Sequence, residues 1–91
     1  MMTEADFRAS LAEQGFEAPV EAVRDPNFAT TEHSHEFTAS ALILAGKITV
    51  VAATGTFTCG PGDTFTLASG IPHHAEYGPE GARSLFSKRV L

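Results

Sequence analysis

The residues that could do chemistry here are few. Histidine occurs four times in 91 residues, as His33 and His35 in "TTEHSHEF" and as His73 and His74 in "SGIPHHAEY". In an extended strand, residues two apart project to the same face, so His33 and His35 stand side by side. Neutral imidazoles placed this way grip a divalent cation at two points. His73 lies far along the chain, where a barrel can bring it opposite the pair. Three imidazole nitrogens from two strands then make a metal site with positions open to water or substrate. His74 has the opposite strand parity to His73 and reads as a surface or rim residue. Glu32 and Glu36 flank the pair but point away from it, as solvated charges. A His-x-His pair by itself is weak evidence, and the surrounding elements have to decide.

Those elements are mostly strands. Residues 3–14 read as a short helix with Thr3 as its cap, Asp6 three residues on, Phe7 and Leu11 on one face, and Gly15 as its stop. This helix is expected to act as a lid or edge cover. From residue 20 onward the sequence alternates between short β segments and turn residues. "VEAVR" is followed by the turn "DPN" and then by "FATTEHSH". "TASALIL" and "ITVVAAT" are read as two strands joined by a turn at "AGK". A tight turn at 54–55 leads to "TFTC", "GPGD" is a strong turn, and "TFTLA", "SGIPHH", "AEYGPEGA" and "RSLFSKRVL" complete the chain. Strands at this spacing indicate an all-β barrel or sandwich. "ALIL" and "ITVVAA" are apolar on both faces, as when one face packs the barrel and the other packs a second subunit or the helix. A homodimer is expected on that ground.

Composition narrows the function classes. The chain is one small domain, 43% hydrophobic, with a formal net charge of -5. An acidic surface repels phosphate backbones, so nucleic acid is not an expected partner. No apolar run approaches the roughly 20 residues that span a bilayer, and the first residues lack the pattern of a secretory signal. Cys59 is the only cysteine. It reads as a small buried hydrophobe, and a single thiol fits a reducing cytoplasm.

Together, the histidines and glycines resemble the cupin family. Its first motif, G-x5-H-x-H-x3,4-E-x6-G, is matched by His33, His35 and Gly46, with Asn27 at the first Gly and Ala39 at the Glu. Its second, G-x5-P-x-G-x2-H-x3-N, is matched by Gly62, Gly70 and His73, with Ala68 at the Pro and Tyr77 at the Asn. The glycines suit turns that need positive φ, and Asn is the best substitute at such a position. The resemblance implies a double-stranded β-helix, the cupin or jelly-roll barrel, over residues 20–91, preceded by an N-terminal helical segment over 1–19. It implies a divalent ion (Fe, Mn, Ni or Zn) held by His33, His35 and His73. It points to a metal-dependent enzyme of dioxygenase or isomerase type acting on a small anionic metabolite, or alternatively to a non-catalytic small-ligand-binding or sensor protein.

Ala39 is the departure that matters. It shares the parity of the histidine pair and offers no ligand where the motif has Glu. Three neutral imidazoles leave the ion's charge uncompensated, which lowers its affinity and favours anionic ligands. Tyr77, four residues after His73, and Phe37 share the ligand parity and are candidate substrate-binding residues. Arg83 reads as a surface residue. No general acid or base is evident on the inward face.

Overall fold

The computed structural model describes residues 1–90. Its elements are α1 (Glu4–Glu13), β1 (Val20–Arg24), β2 (Thr38–Ala52), β3 (Gly55–Cys59), β4 (Thr64–Leu67) and β5 (His73–Arg89). All strand pairs are antiparallel. The path is β1-β5-β2-β3, with β4 added to β2.

Two long strands, β2 and β5, form the spine and pair from Thr38–Arg89 to Ala52–His73. Each serves two half-layers. The first half of β2 pairs with β4, and the last part of β5 pairs with β1. The second half of β2 pairs with β3, and the start of β5 is flanked by the segment around residues 28–35. The sheet curls on itself without closing, giving the all-β jelly-roll expected from the sequence, with its short helix.

The curl arises at an interruption of the β2–β5 ladder. Register shifts fall between Ile43 and Ala45 and between Gly46 and Ile48. Inward parity changes across this break. Ala39, Ala41 and Ile43 line a central cavity before it in β2, and Ile48 and Val50 after it. In β5 the inward set runs His73, Ala75, Tyr77 and then Ala82, Ser84, Phe86. An extra residue in one strand of a pair bends and twists it, and here the parity change keeps both halves facing one interior. The sequence reading is corrected at this point. "AGK" is not a turn, and "AEYGPEGA" and "RSLFSKRVL" are not separate strands. They are bulged stretches inside continuous strands.

Gly46 and Gly81 make the bend possible. Both have positive φ, 80° and 70°. A Cβ on Gly46 would overlap the Gly81 carbonyl oxygen and lie 2.9 Å from Ala82 Cα. A Cβ on Gly81 would overlap the carbonyl oxygen of Arg24. Asn27, with φ 58°, takes the left-handed conformation that Asn tolerates, and its N–H donates to the Gly78 carbonyl at 2.9 Å.

The helix covers the outside of the first half-layer. Thr3 Oγ1 accepts the Asp6 N–H at 3.1 Å. Phe7 and Leu11 are buried with Leu42 and Leu85. Burying such side chains contributes roughly 1.5–3 kcal/mol each. The apolar outer face of "ALIL" is therefore satisfied within the chain. The inner cluster contains Ala39, Ile43, Ile48, Val50, Cys59, Leu67 and Ala75.

Substituting Gly46→Ala adds a steric overlap with backbone to an unfavourable φ, and is expected to cost about 3 kcal/mol. Urea unfolding monitored by circular dichroism reads this. A loss under about 0.5 kcal/mol would show that the bend does not depend on the close approach to Gly81.

Candidate functional site

The backbone brings the histidines together before their side chains do. His33 and His73 face each other in an isolated antiparallel bridge, and each donates its N–H to the other's carbonyl at 2.8 Å. A second bridge joins Ala29 to Glu76. The bridges are four residues apart on one side and three on the other, so one residue is bulged out of the first segment. "FATTEHSH" is therefore not the regular strand expected from sequence. The same-face argument still holds locally for His33 and His35, because the Gly70 N–H donates to the His35 carbonyl at 2.8 Å and extends the pairing past His33.

The three rings converge. Centroids lie 4.8 Å apart for His33 and His35, 4.5 Å for His33 and His73, and 5.1 Å for His35 and His73. One ring nitrogen from each can be chosen so that all lie within 4.8 Å of one another. His73 is buried, and His33 and His35 are half-buried.

Two of the rings are oriented by their own backbone. His33 Nδ1 lies 2.7 Å from the Thr31 carbonyl oxygen, and His73 Nδ1 lies 2.8 Å from the Ile71 carbonyl oxygen. A carbonyl only accepts, so in both neutral rings Nδ1 carries the proton and Nε2 keeps its lone pair. This is the arrangement that metal-ligating histidines use to fix tautomer and ring direction. His35 is held differently, by the Phe37 ring stacked on it at 4.6 Å and 15°. Burial, then the neighbouring His33 and His73, push the His35 pKa below its usual value. The donor set is thus three converging imidazoles, two of them with Nδ1 turned to a backbone carbonyl, which fits a divalent ion of intermediate softness.

The site opens into a cavity of about 490 Å³. Tyr77 lines it, as its parity suggested, and burial raises the Tyr77 pKa, partly offset by Arg24. Ala39 lines the same cavity and is 2% exposed, so the position where a carboxylate was expected does face the site. Phe37 stands behind His35, edge-on to Phe86 at 6.3 Å. His74 pairs with Val51 on the opposite parity, and Glu32 and Glu36 are exposed. Arg83 is at the surface, ion-paired with Glu21 at 2.8 Å. Cys59 is buried, its pKa raised by burial and by Asp63.

Sequence reasoning missed several contributors. The carbonyls of Thr31 and Ile71 are backbone groups and leave no residue-type signal. Thr30 also lines the cavity, and its Oγ1 accepts the Ala75 N–H at 2.9 Å. The small inward residues Ala41 and Ala75 follow the parity of Ala39 and His73, whereas Ala82 could have been found only with the correct parity across the break.

Residues 20–88 match the family model described as the AraC-like ligand binding domain. No curated protein matches the chain. Among solved structures, a protein of unknown function from Streptococcus pyogenes is 24% identical with a TM-score of 0.70, covering 86% of this chain and 67% of that one. An RmlC-like cupin from Shewanella frigidimarina is 18% identical with a TM-score of 0.69, covering 81% and 65%. A W96Y variant of Bacillus subtilis oxalate decarboxylase is 25% identical with a TM-score of 0.72. It covers 84% of this chain, which spans only 21% of the decarboxylase. That enzyme contains Mn(II) centres. Among the described residues, no helix is long and apolar enough to cross a membrane.

The lowered His35 pKa gives a pH dependence. The unfolded chain takes up this proton near the ordinary histidine value of 6.5, the folded chain only at lower pH. Below 6.5 the unfolded state therefore binds more protons. Stability from a neutral His35 is fully present above 6.5 and is lost as pH falls through the folded value. Metal-free protein is expected to melt at progressively lower temperature from pH 6.5 to 5, and a His35→Phe variant to show a shallower decline. Equal slopes would assign the acid sensitivity to other groups.

Proposed function

The chain belongs to the AraC-like ligand binding domain family and has a cupin fold, and on that premise we propose that it binds a divalent metal ion through His33, His35 and His73 and uses the site to hold a small anionic metabolite. The observation that carries this reading is the pair of carbonyl-locked tautomers, His33 on Thr31 and His73 on Ile71. An imidazole pinned this way presents Nε2 as a ready donor before any ion arrives, which reduces the ordering cost of binding. When bound, the ion supplies a Lewis-acidic centre with open positions for an anionic oxygen. The Mn(II) centres of the oxalate decarboxylase make Mn(II) the first ion to try, with Fe, Ni and Zn next.

The lining favours binding over turnover. Its single carboxyl, among the described residues, is Glu21, which is exposed and engaged by Arg83. Apart from the imidazoles, the titratable side chains of the lining, among the described residues, are Glu21, Arg24 and Tyr77. A ligand-binding or sensor role follows. Dioxygenase or isomerase chemistry is the second reading, supported by the coordination positions that three histidines leave open. The exposed Val20 and Val23 of β1, 62% and 64% accessible, are consistent with a homodimer, and the single free thiol with a cytoplasmic setting.

Elemental analysis of protein purified without a nickel column is expected to find close to one divalent ion per chain. His33→Ala and His73→Ala are each expected to weaken affinity about 100-fold or more, since even an outer-shell loss costs 10–100-fold. Wild-type protein that takes up none of Mn, Fe, Ni or Zn would overturn the reading. Oxygen uptake with an iron-loaded sample separates the two roles.

Ala39→Glu tests the position facing the site. The added carboxylate is expected to tighten metal binding roughly tenfold, because it supplies the missing negative charge, while lowering the stability of metal-free protein through an unpaired buried charge. Unchanged affinity on titration would show that residue 39 does not reach the ion.

A further inference from the structure

Folded interiors leave few voids larger than a water molecule. The cavity that the three imidazoles help to line measures about 490 Å³, within the range of pockets that take small organic ligands. Its deep wall is hydrocarbon, formed by Ala41, Ile43, Val50, Leu67, Ala82 and Phe86. Besides the imidazoles, its polar groups are the Tyr77 and Ser84 hydroxyls, with three others exposed or engaged. Glu21 and Arg24 sit on the exposed strand β1, Glu21 is held by Arg83, and the Thr30 hydroxyl accepts from Ala75. A two-carbon diacid such as oxalate would leave most of this chamber to water against an apolar wall, an arrangement the hydrophobic effect disfavours.

Two alanines determine how much of the chamber is empty. Ala41 in β2 and Ala82 in β5 are 2% and 7% exposed; Ala41 pairs with Phe86, and Ala82 pairs with Gly46 at the bend. They face the cavity from separate strands, so a longer side chain at either would project into the ligand volume and not into packed core.

We propose that the ligand is an amphipathic small acid, with a carboxylate or enolate head at the three-histidine site and an apolar body of about hexyl or aryl size in the chamber, and that Ala41 and Ala82 set the size of that body. The head group rests on the metal reading above. The apolar body does not.

The test uses hexanoate and acetate, which share a head group, titrated calorimetrically into Mn(II)-loaded full-length protein. Hexanoate is expected to bind at least about tenfold more tightly, as four further methylenes enter the chamber. In Ala41→Leu and, separately, Ala82→Leu, the ratio is expected to fall below about threefold, with acetate and Mn(II) affinities unchanged. Two variants guard against one failing to fold. Equal affinities of hexanoate and acetate in loaded wild-type protein overturn the inference and leave the metal reading standing. A neutral probe separates the converse failure. Toluene is expected to raise the melting temperature of metal-free wild-type protein and not that of the leucine variants. If Mn(II) fails to bind but toluene stabilises in this pattern, the metal reading falls and the chamber stands. If toluene has no effect on the wild type, the chamber assignment is overturned.

Discussion

The close approach of Gly46 to Gly81 is the constraint on which the remaining structure depends. Two strands of 15 and 17 residues cannot run flat through a domain of this size and still enclose a core. They must bend at the same place, and the backbones must come nearer than side chains allow. Only glycine on both strands permits this, because a Cβ on either would meet a backbone oxygen. The bulges at this point change inward parity, so apolar residues on odd positions of one half and even positions of the other face a single interior. Without that change, either Ile48 and Val50 or Ala41 and Ile43 would turn outward.

The bend places the start of β5 where an irregular segment can pair with it, and that pairing makes the site. His33 and His73 are aligned by reciprocal backbone hydrogen bonds, so the distance between their side chains is set by sheet geometry, not by side-chain flexibility. Each ring is then turned by the carbonyl two residues before it. The same local device on both sides of the bridge yields two nitrogens aimed inward. His35, lacking a carbonyl partner, is held by stacking on Phe37. This gives Phe37 a role in ring orientation, where its sequence parity had suggested a wall of the cavity.

The sequence disclosed much of this fold through residue types whose physical reasons are local. Gly46, Gly62 and Gly70 mark backbone that needs positive φ, Asn27 marks a tolerated substitute, and each takes that conformation. Phe7 and Leu11 lie on one helical face and are buried together. The histidine trio followed from spacing and from family resemblance. What escaped the reading was continuity. "AGK" and "GPEG" have turn composition, and turns and bulges both use Gly and Pro to depart from regular backbone. Composition alone does not distinguish a chain that reverses from one that bends within a ladder. The partner strand decides, and that partner lies some 35 residues away. The irregularity of "FATTEHSH" was hidden for the same reason, since a bulge exists only relative to the strand opposite.

Ala39 connects the chemistry to the architecture. A carboxylate there would supply an anionic ligand, but it would also place charge on a wall made of Ala41, Ile43 and Leu67 and would be costly to bury without the ion. With alanine the wall stays apolar up to the imidazoles, and the negative charge that a divalent ion requires has to come from outside. On the proposed reading, an entering acid would provide both the charge the site lacks and an apolar filling for the chamber. An alanine at this position thus weakens retention of the bare ion while strengthening the dependence of the filled site on its ligand. On the proposed reading, that coupling suits a protein that registers a small molecule more than one that must hold its metal through repeated turnovers.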